Sequence, residues 1–206
     1  MSLFITFEGG EGCGKSVQAR ALYKRLSQLA VPALLTLEPG GTPLGDRISR
    51  LVKWGQDIAI SPLTELLLFN ASRAQLVAEV IKPSLKDGKV VICDRFADST
   101  TAYQSYGRGL DLDMVMSINH AATLGLQPDL TILLDIPAEA GLTRKKDRKP
   151  DRCEQENIAI PRRVREGYHK LAAGNPKRWL VVDAALSKAK VTGIIWDKVE
   201  RLLSKG

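Results

Sequence analysis

The chain is poor in cysteine and histidine. Its three cysteines, Cys13, Cys93 and Cys153, lie far apart and form no C-x-x-C pair. That argues against a disulfide framework or a cysteine zinc site, and suits a reducing cytoplasm. Its two histidines, His120 and His169, are isolated, and no strong general base is visible. No basic leader, long apolar run or cleavage site stands near the start, so neither a signal peptide nor a membrane span is expected. Repeats, low-complexity tracts and linkers are absent. Two guanine-nucleotide signatures are also missing: no Asp lies three residues before a Gly, and no Asn-Lys pair occurs. These gaps discount a signalling GTPase.

What is present is 206 residues of ordinary globular composition, 44% hydrophobic and 26% charged. That length suits one α/β domain with a substantial core. The chain is organised around Phe4 to Ser16, an apolar run, a glycine-rich loop and the start of an amphipathic run. Gly9, Gly14, Lys15 and Ser16 fit the pattern G-x-x-x-x-G-K-[ST]. Within Gly9, Gly10, Glu11, Gly12, Cys13 and Gly14, the glycines let consecutive N–H groups point inward as an anion nest. The positive end of the following helix adds to the attraction. Lys15 supplies a charge for the β- and γ-phosphates, and Ser16 an oxygen for Mg²⁺.

Strands are expected over 3–8, 33–37, 90–93, 130–134 and 179–182, alternating with helices. This alternation predicts a doubly wound, five-stranded parallel sheet flanked by helices, of the P-loop NTPase type, as one domain over 1–206. Ser61-Pro62 opens a helix that is expected to stop near Lys82, ahead of Pro83. Its apolar residues cover more than one face, which calls for burial by its own domain or by a partner subunit. Phe69 and Arg73 share a face of it: a base pocket, or a core ring beside a structural ion pair. Glu38-Pro-Gly-Gly-Thr-Pro43 is a rigid turn at a strand's carboxyl end, where ligands bind in open α/β sheets, or simply a loop. Two acids follow apolar strands and compete for the Mg²⁺ role, Asp94 and Asp135. Arg95, next to Asp94, favours the first.

Net charge is +7, and six of the cations lie between Arg144 and Arg152 against only Asp147 and Asp151. Such a local cluster fits a small polyanion better than a duplex track, or is a solvated basic loop. A phosphate cradle, a metal site and clustered cations are the parts of a phosphoryl transferase. The lack of a base leans toward a phosphate acceptor, which is already anionic. The alternatives are a nucleoside or small-metabolite kinase and a DNA-associated ATPase.

The motifs resemble those of the bacterial thymidylate kinases nearly end to end. The resemblance rests on Phe7 to Ser16, Glu38 to Leu44, Phe69 to Gln75, Asp94-Arg95-Phe96 and Asp151 to Glu156. It implies transfer of the γ-phosphate of ATP to dTMP with Mg²⁺, in a homodimer, without nucleic-acid or membrane partners. By similarity Glu11 lies near the acceptor's 3′-hydroxyl, and Arg95 holds the dTMP phosphate. Phe69 stacks on thymine and Arg73 bonds its exocyclic oxygen. Glu38, Ser99 and Gln104 belong to the acceptor site. Arg148, with Arg144 and Arg152, supplies the cations of a short lid at about 144–153. Positions 10 to 13 hold no basic residue, so the branch with lid arginines is the better match. Two departures stand out. Leu37 replaces an arginine often found before Glu-Pro-Gly-Gly-Thr, leaving Arg47 or Arg50 as candidate replacements. Phe96 stands where Tyr or His is common.

Overall fold

The computed structural model describes residues 2–54, 59–144 and 157–204. Five strands form one parallel sheet in the order β2-β3-β1-β4-β5. They are β1 (Leu3–Glu8), β2 (Ala33–Leu37), β3 (Val90–Asp94), β4 (Leu130–Asp135) and β5 (Trp179–Asp183). Alternation along each strand feeds two faces. Leu3, Ile5 and Phe7 pack with Val90, Ile92 and the even-numbered apolar residues 130–134 against helices α1 (Lys15–Gln28) and α9 (Lys188–Leu203). Phe4, Val91 and Cys93 face the other way, toward Leu76, Val77 and Ile81. Both faces of the central strands β1, β3 and β4 are buried, which is why these read as apolar runs rather than as alternating ones. The buried Thr6 hydroxyl is satisfied by donating to Thr131 Oγ1 at 3.1 Å.

Register aligns the carboxyl ends of the strands that matter. Phe7 sits level with Asp94, which is level with Leu37, and Glu8 is level with Leu133. The phosphate loop, the turn after β2 and the residues after β3 therefore emerge together at one edge, as in other open α/β sheets.

The remaining helices are α2 (Pro43–Trp54), α3 (Pro62–Leu76), α4 (Lys82–Lys86), α5 (Ala97–Thr100), α6 (Leu112–Thr123), α7 (Ala138–Thr143) and α8 (Ala159–Gly174). Ser61 caps α3, its Oγ accepting from Thr64 N at 3.2 Å, as the sequence predicts. The expected stop before Pro83 does not occur: helical chain continues to Lys86 through a wide π turn, Val77–Ile81. The wide turn loosens the bonding ahead of the proline. It leaves Pro83 in the first turn of α4, where the missing N–H has no required partner. The polar and aromatic stretch after Asp94 is likewise helical, α5 running into a second π turn, Thr101–Gly107. No helix among the described residues is long and apolar enough to cross a membrane.

Candidate active site

The loop after β1 wraps tightly because only glycine fits part of it. Gly12 has φ +68°, and a Cβ there would lie 2.0 Å from the Gly141 carbonyl oxygen of α7. Helix α1 then starts at Lys15 with Gly14 as its cap and no side chain on its first N–H groups. Those donors and the helix dipole form an anion-binding end. Lys15 is buried and curls over the loop, Nζ donating to the carbonyls of Gly9 (3.0 Å) and Gly10 (2.7 Å). Cys13 is buried beneath the loop, so its backbone rather than its thiol belongs to the cradle.

The two rival acids differ sharply. Ser16 Oγ donates directly to Asp94 Oδ2, beside the loop. Asp135 is already neutralised by a fork from Arg165 at 2.7 and 2.8 Å, with His169 at 3.1 Å. The Arg165 hydrogen bonds hold its carboxyl below the usual range, with burial opposing and His169 adding to the effect. Among the described residues no cluster of three His, Cys, Asp or Glu side chains makes a metal cage. A hydroxyl and one carboxylate, Ser16 and Asp94, fit a Mg²⁺ ion that keeps most of its other ligands as waters and phosphate oxygens.

Beside the loop opens a cleft of about 610 Å³, counted out into the solvent at its mouth. Its lining includes Glu11, Glu38, Phe69, Arg73, Arg95, Ser99 and Gln104, so the structure brings all the sequence-derived acceptor residues to one place. Arg95 follows β3 with φ +74°, unusual for a residue with a side chain. Its guanidinium donates to Gly9 O (3.3 Å), Ser99 Oγ (3.2 Å) and Tyr103 Oη (3.3 Å), and pairs with Glu11 Oε1. Phe69 forms part of the wall and is half-buried.

Arg73 differs from the simple expectation. All five of its N–H groups are met by protein. Nε donates to Glu38 Oε2 (2.8 Å), and Nη1 to Asn70 Oδ1 (3.1 Å) and Asn119 Oδ1 (2.9 Å). Nη2 donates to Phe96 O (3.2 Å) and Thr100 Oγ1 (2.6 Å). A base carbonyl reaching Arg73 therefore shares a donor instead of filling a vacant one. Glu38 Oε1, in contrast, is buried at the cleft with no hydrogen-bond partner among the described residues. Burial pushes the Glu38 carboxyl up, and Arg73 opposes the shift. Ser99 is turned away from a base: its hydroxyl donates to Glu8 and accepts from Arg95.

Several cleft groups escape a linear reading. Glu65 is buried in α3 and accepts from Gln104 Nε2 (2.9 Å) and from a forked Arg108 (2.9 and 3.3 Å). Tyr103 donates to Glu11 Oε1 at 3.2 Å. Lys53 of α2 reaches the lining, whereas Arg47 and Arg50 are exposed and do not. Of the three α2 cations, Lys53 is therefore the one that borders the cleft. Glu8 is wholly buried behind Arg95, and burial pushes its carboxyl up to about 7. Asp98 adds to that rise, while Ser99, Arg95 and the Phe96 N–H pull against it. An acid closing an otherwise apolar strand was the available signal for Glu8. Glu65, four residues before Phe69 on α3, had a similar one.

Of the lid cations, Arg144 ends α7 and donates to Ala184 O at 3.1 Å. Arg148 and Arg152, and most of the expected lid at 144–153, lie outside the described residues.

Comparison with known proteins accords with this geometry. The thymidylate kinase family model matches residues 7–195. A thymidylate kinase of Dehalococcoides mccartyi is 57% identical over 203 residues, covering 98% of both chains. One of Synechococcus sp. is 51% identical, covering 96% of this chain and 94% of that one. The crystal structure of thymidylate kinase from Ehrlichia chaffeensis superposes with a TM-score of 0.77 at 33% identity, covering 98% of each chain. With a match of this extent, and the same edge of the sheet carrying a phosphate loop and an acceptor cleft, the chain belongs to the thymidylate kinase family.

Proposed function

We propose that this chain performs the family reaction, transfer of the γ-phosphate of ATP to dTMP to give dTDP, with dTMP seated in the cleft beside the phosphate loop. The observation that carries the reading is the convergence of Arg95, Phe69, Arg73 and the loop on that one cleft. The whole chain acts as one nucleoside monophosphate kinase domain, with 144–153 as its lid. A non-bridging oxygen of dTMP attacks the γ-phosphorus, and the bond to the β–γ bridging oxygen breaks, leaving ADP. The attacking phosphate is already an anion, so no base is needed. That agrees with a cleft whose acids are held by arginines. Catalysis is then mostly alignment and charge neutralisation.

In this reading the loop N–H groups and Lys15 hold the donor phosphates. Ser16 and Asp94 are the residues that hold Mg²⁺, which offsets charge on the transferring group when bound. Arg95 receives the acceptor phosphate. Phe69 stacks on the base, and Glu11 lies near the 3′-hydroxyl. Glu38 offers its unpartnered Oε1 to a donor on the acceptor. Arg73 and Gln104, fixed by their buried partners, shape the base end of the cleft.

A coupled assay with ATP against dTMP, dUMP, dCMP, AMP and thymidine tests the reading. dTMP is expected to be best. dUMP should follow by a modest factor, since one missing methyl is worth about 1–3 kcal/mol. Preference for AMP or thymidine would overturn it. DNA-stimulated hydrolysis without a nucleotide acceptor would favour an ATPase.

The chain further reads as a homodimer. Leu63 (44%) and Leu67 (50%) on α3 and Met116 (52%) on α6 are exposed apolar residues that the domain itself leaves uncovered. Exposed Ala71, Ala74 and Ala78 continue the α3 row. A second copy covering that face buries it. Light scattering at micromolar concentration should give twice the 22.5 kDa chain mass; a monomer would contradict this.

A further inference from the structure

Arg95 is held in its left-handed backbone conformation by something, because such a φ is costly for an arginine. The holder is Glu8. One carboxylate oxygen accepts the N–H of Phe96, the residue immediately after the strained position, at 2.8 Å. The other accepts from the hydroxyl of Ser99, which in turn receives Arg95 Nη1 at 3.2 Å. Glu8 thus grips Arg95 from both ends, the backbone through Phe96 and the guanidinium through Ser99. A third donor comes from a different part of the molecule. Tyr168 of α8, almost fully buried, donates to the same Glu8 oxygen at 2.9 Å. Its ring also meets the ring of Tyr103 edge-on, at 6.5 Å between centroids. Helix α8 begins at Ala159, shortly after the segment that holds the lid cations.

We propose that Glu8 and Tyr168 are positioning residues for the acceptor phosphate: they hold Arg95 in its receiving conformation and tie that conformation to α8. Neither residue borders the acceptor cleft. They reach Arg95 through Phe96, Ser99 and Tyr103, and the inference rests on the reading of Arg95 as the phosphate holder. A purely structural role would lower stability and disturb ATP and dTMP kinetics alike. A positioning role separates the two substrates.

The test uses Tyr168→Phe, Glu8→Gln and the double variant, each with full kinetics for both substrates and a melting temperature, beside Arg95→Ala as reference. Tyr168→Phe keeps the ring and removes one buried hydrogen bond, so kcat/KM for dTMP should fall about three- to ten-fold. Glu8→Gln replaces one acceptor oxygen with an amide nitrogen that cannot accept, and should cost about ten-fold or more. KM for ATP should stay within about two-fold in both, because the donor cradle is untouched. The two changes meet in one cluster, Tyr168 Oη lying 2.9 Å from Glu8 Oε2 and 3.0 Å from Ser99 Oγ, so the double variant should be little worse than Glu8→Gln alone. The proposal is overturned if either single variant leaves dTMP kinetics unchanged while Arg95→Ala impairs them. It is also overturned if ATP and dTMP are affected equally, or if the losses multiply. If Arg95→Ala itself spares dTMP, the reading of the acceptor site falls and the inference with it.

Discussion

Replacing Arg95 with alanine should lower kcat/KM for dTMP by roughly 30- to 4,000-fold, the effect of removing about 2–5 kcal/mol of hydrogen-bonded charge pairing. The argument is geometric. Arg95 is the cation at the carboxyl end of β3, beside Asp94 and facing both Glu11 and the loop carbonyl of Gly9. That guanidinium reaches the phosphate loop itself, through the Gly9 carbonyl at 3.3 Å. The Arg95 guanidinium is paired with Glu11 and donates to Gly9 O, Ser99 Oγ and Tyr103 Oη at 3.2–3.3 Å, so a doubly charged phosphate takes over or shares donors that are already aimed at the cleft. KM for ATP should change little, since Lys15 and the loop hold the donor. Arg95→Lys should recover only part of the loss, because a point charge cannot reproduce the guanidinium fork. Steady-state kinetics for both substrates decide this. Equal losses for ATP and dTMP would place Arg95 in the scaffold instead.

The largest single effect on turnover is expected from the lid. ATP and dTMP bring several negative charges together, and the loop between positions 10 and 13 offers no cation. The remaining basic cluster runs from Arg144 to Arg152. An arginine acting on a transferring phosphoryl group is worth about 10³–10⁵ in rate. Alanine at Arg148 should therefore reduce kcat by about that range while leaving dTMP affinity nearly intact. Arg144 and Arg152 should show smaller losses, Arg144 because it is engaged with the Ala184 carbonyl. A parallel scan of Lys145 and Lys149 is the control. If the arginines match the lysines, and the losses fade at high salt, the cluster only attracts anions at long range.

The legible parts of this molecule were those encoded in short stretches. The five strands are apolar runs closed by glycine, proline or an acid, and a fully buried parallel sheet needs no more than that. Asp94 closes β3 and Arg95 follows it, while Lys15 and Ser16 follow β1 across the loop 9–14, so the fold that places the strands also places them. Partnership was less legible. Arg73 finds its acceptors on four segments, at Glu38, Asn70, Phe96 with Thr100, and Asn119. Only Asn70 lies within a helical turn of it. Glu65 meets Gln104 and Arg108 across the cleft, and Glu8 meets Tyr168 over 160 positions of chain. Ser99 illustrates the cost: it lines the cleft, yet its hydroxyl is committed to Glu8. Pro83 misled for a local reason, since a π turn absorbs a proline that an unbroken α-helix would reject.

A crystal structure of the enzyme with dTMP and a non-hydrolysable ATP analogue tests the central claim most directly. The account predicts the dTMP phosphate on the Arg95 guanidinium, the thymine ring against Phe69, and the analogue's phosphates on the N–H groups of residues 9–16. A dTMP molecule bound elsewhere, or with its phosphate away from Arg95, would contradict it.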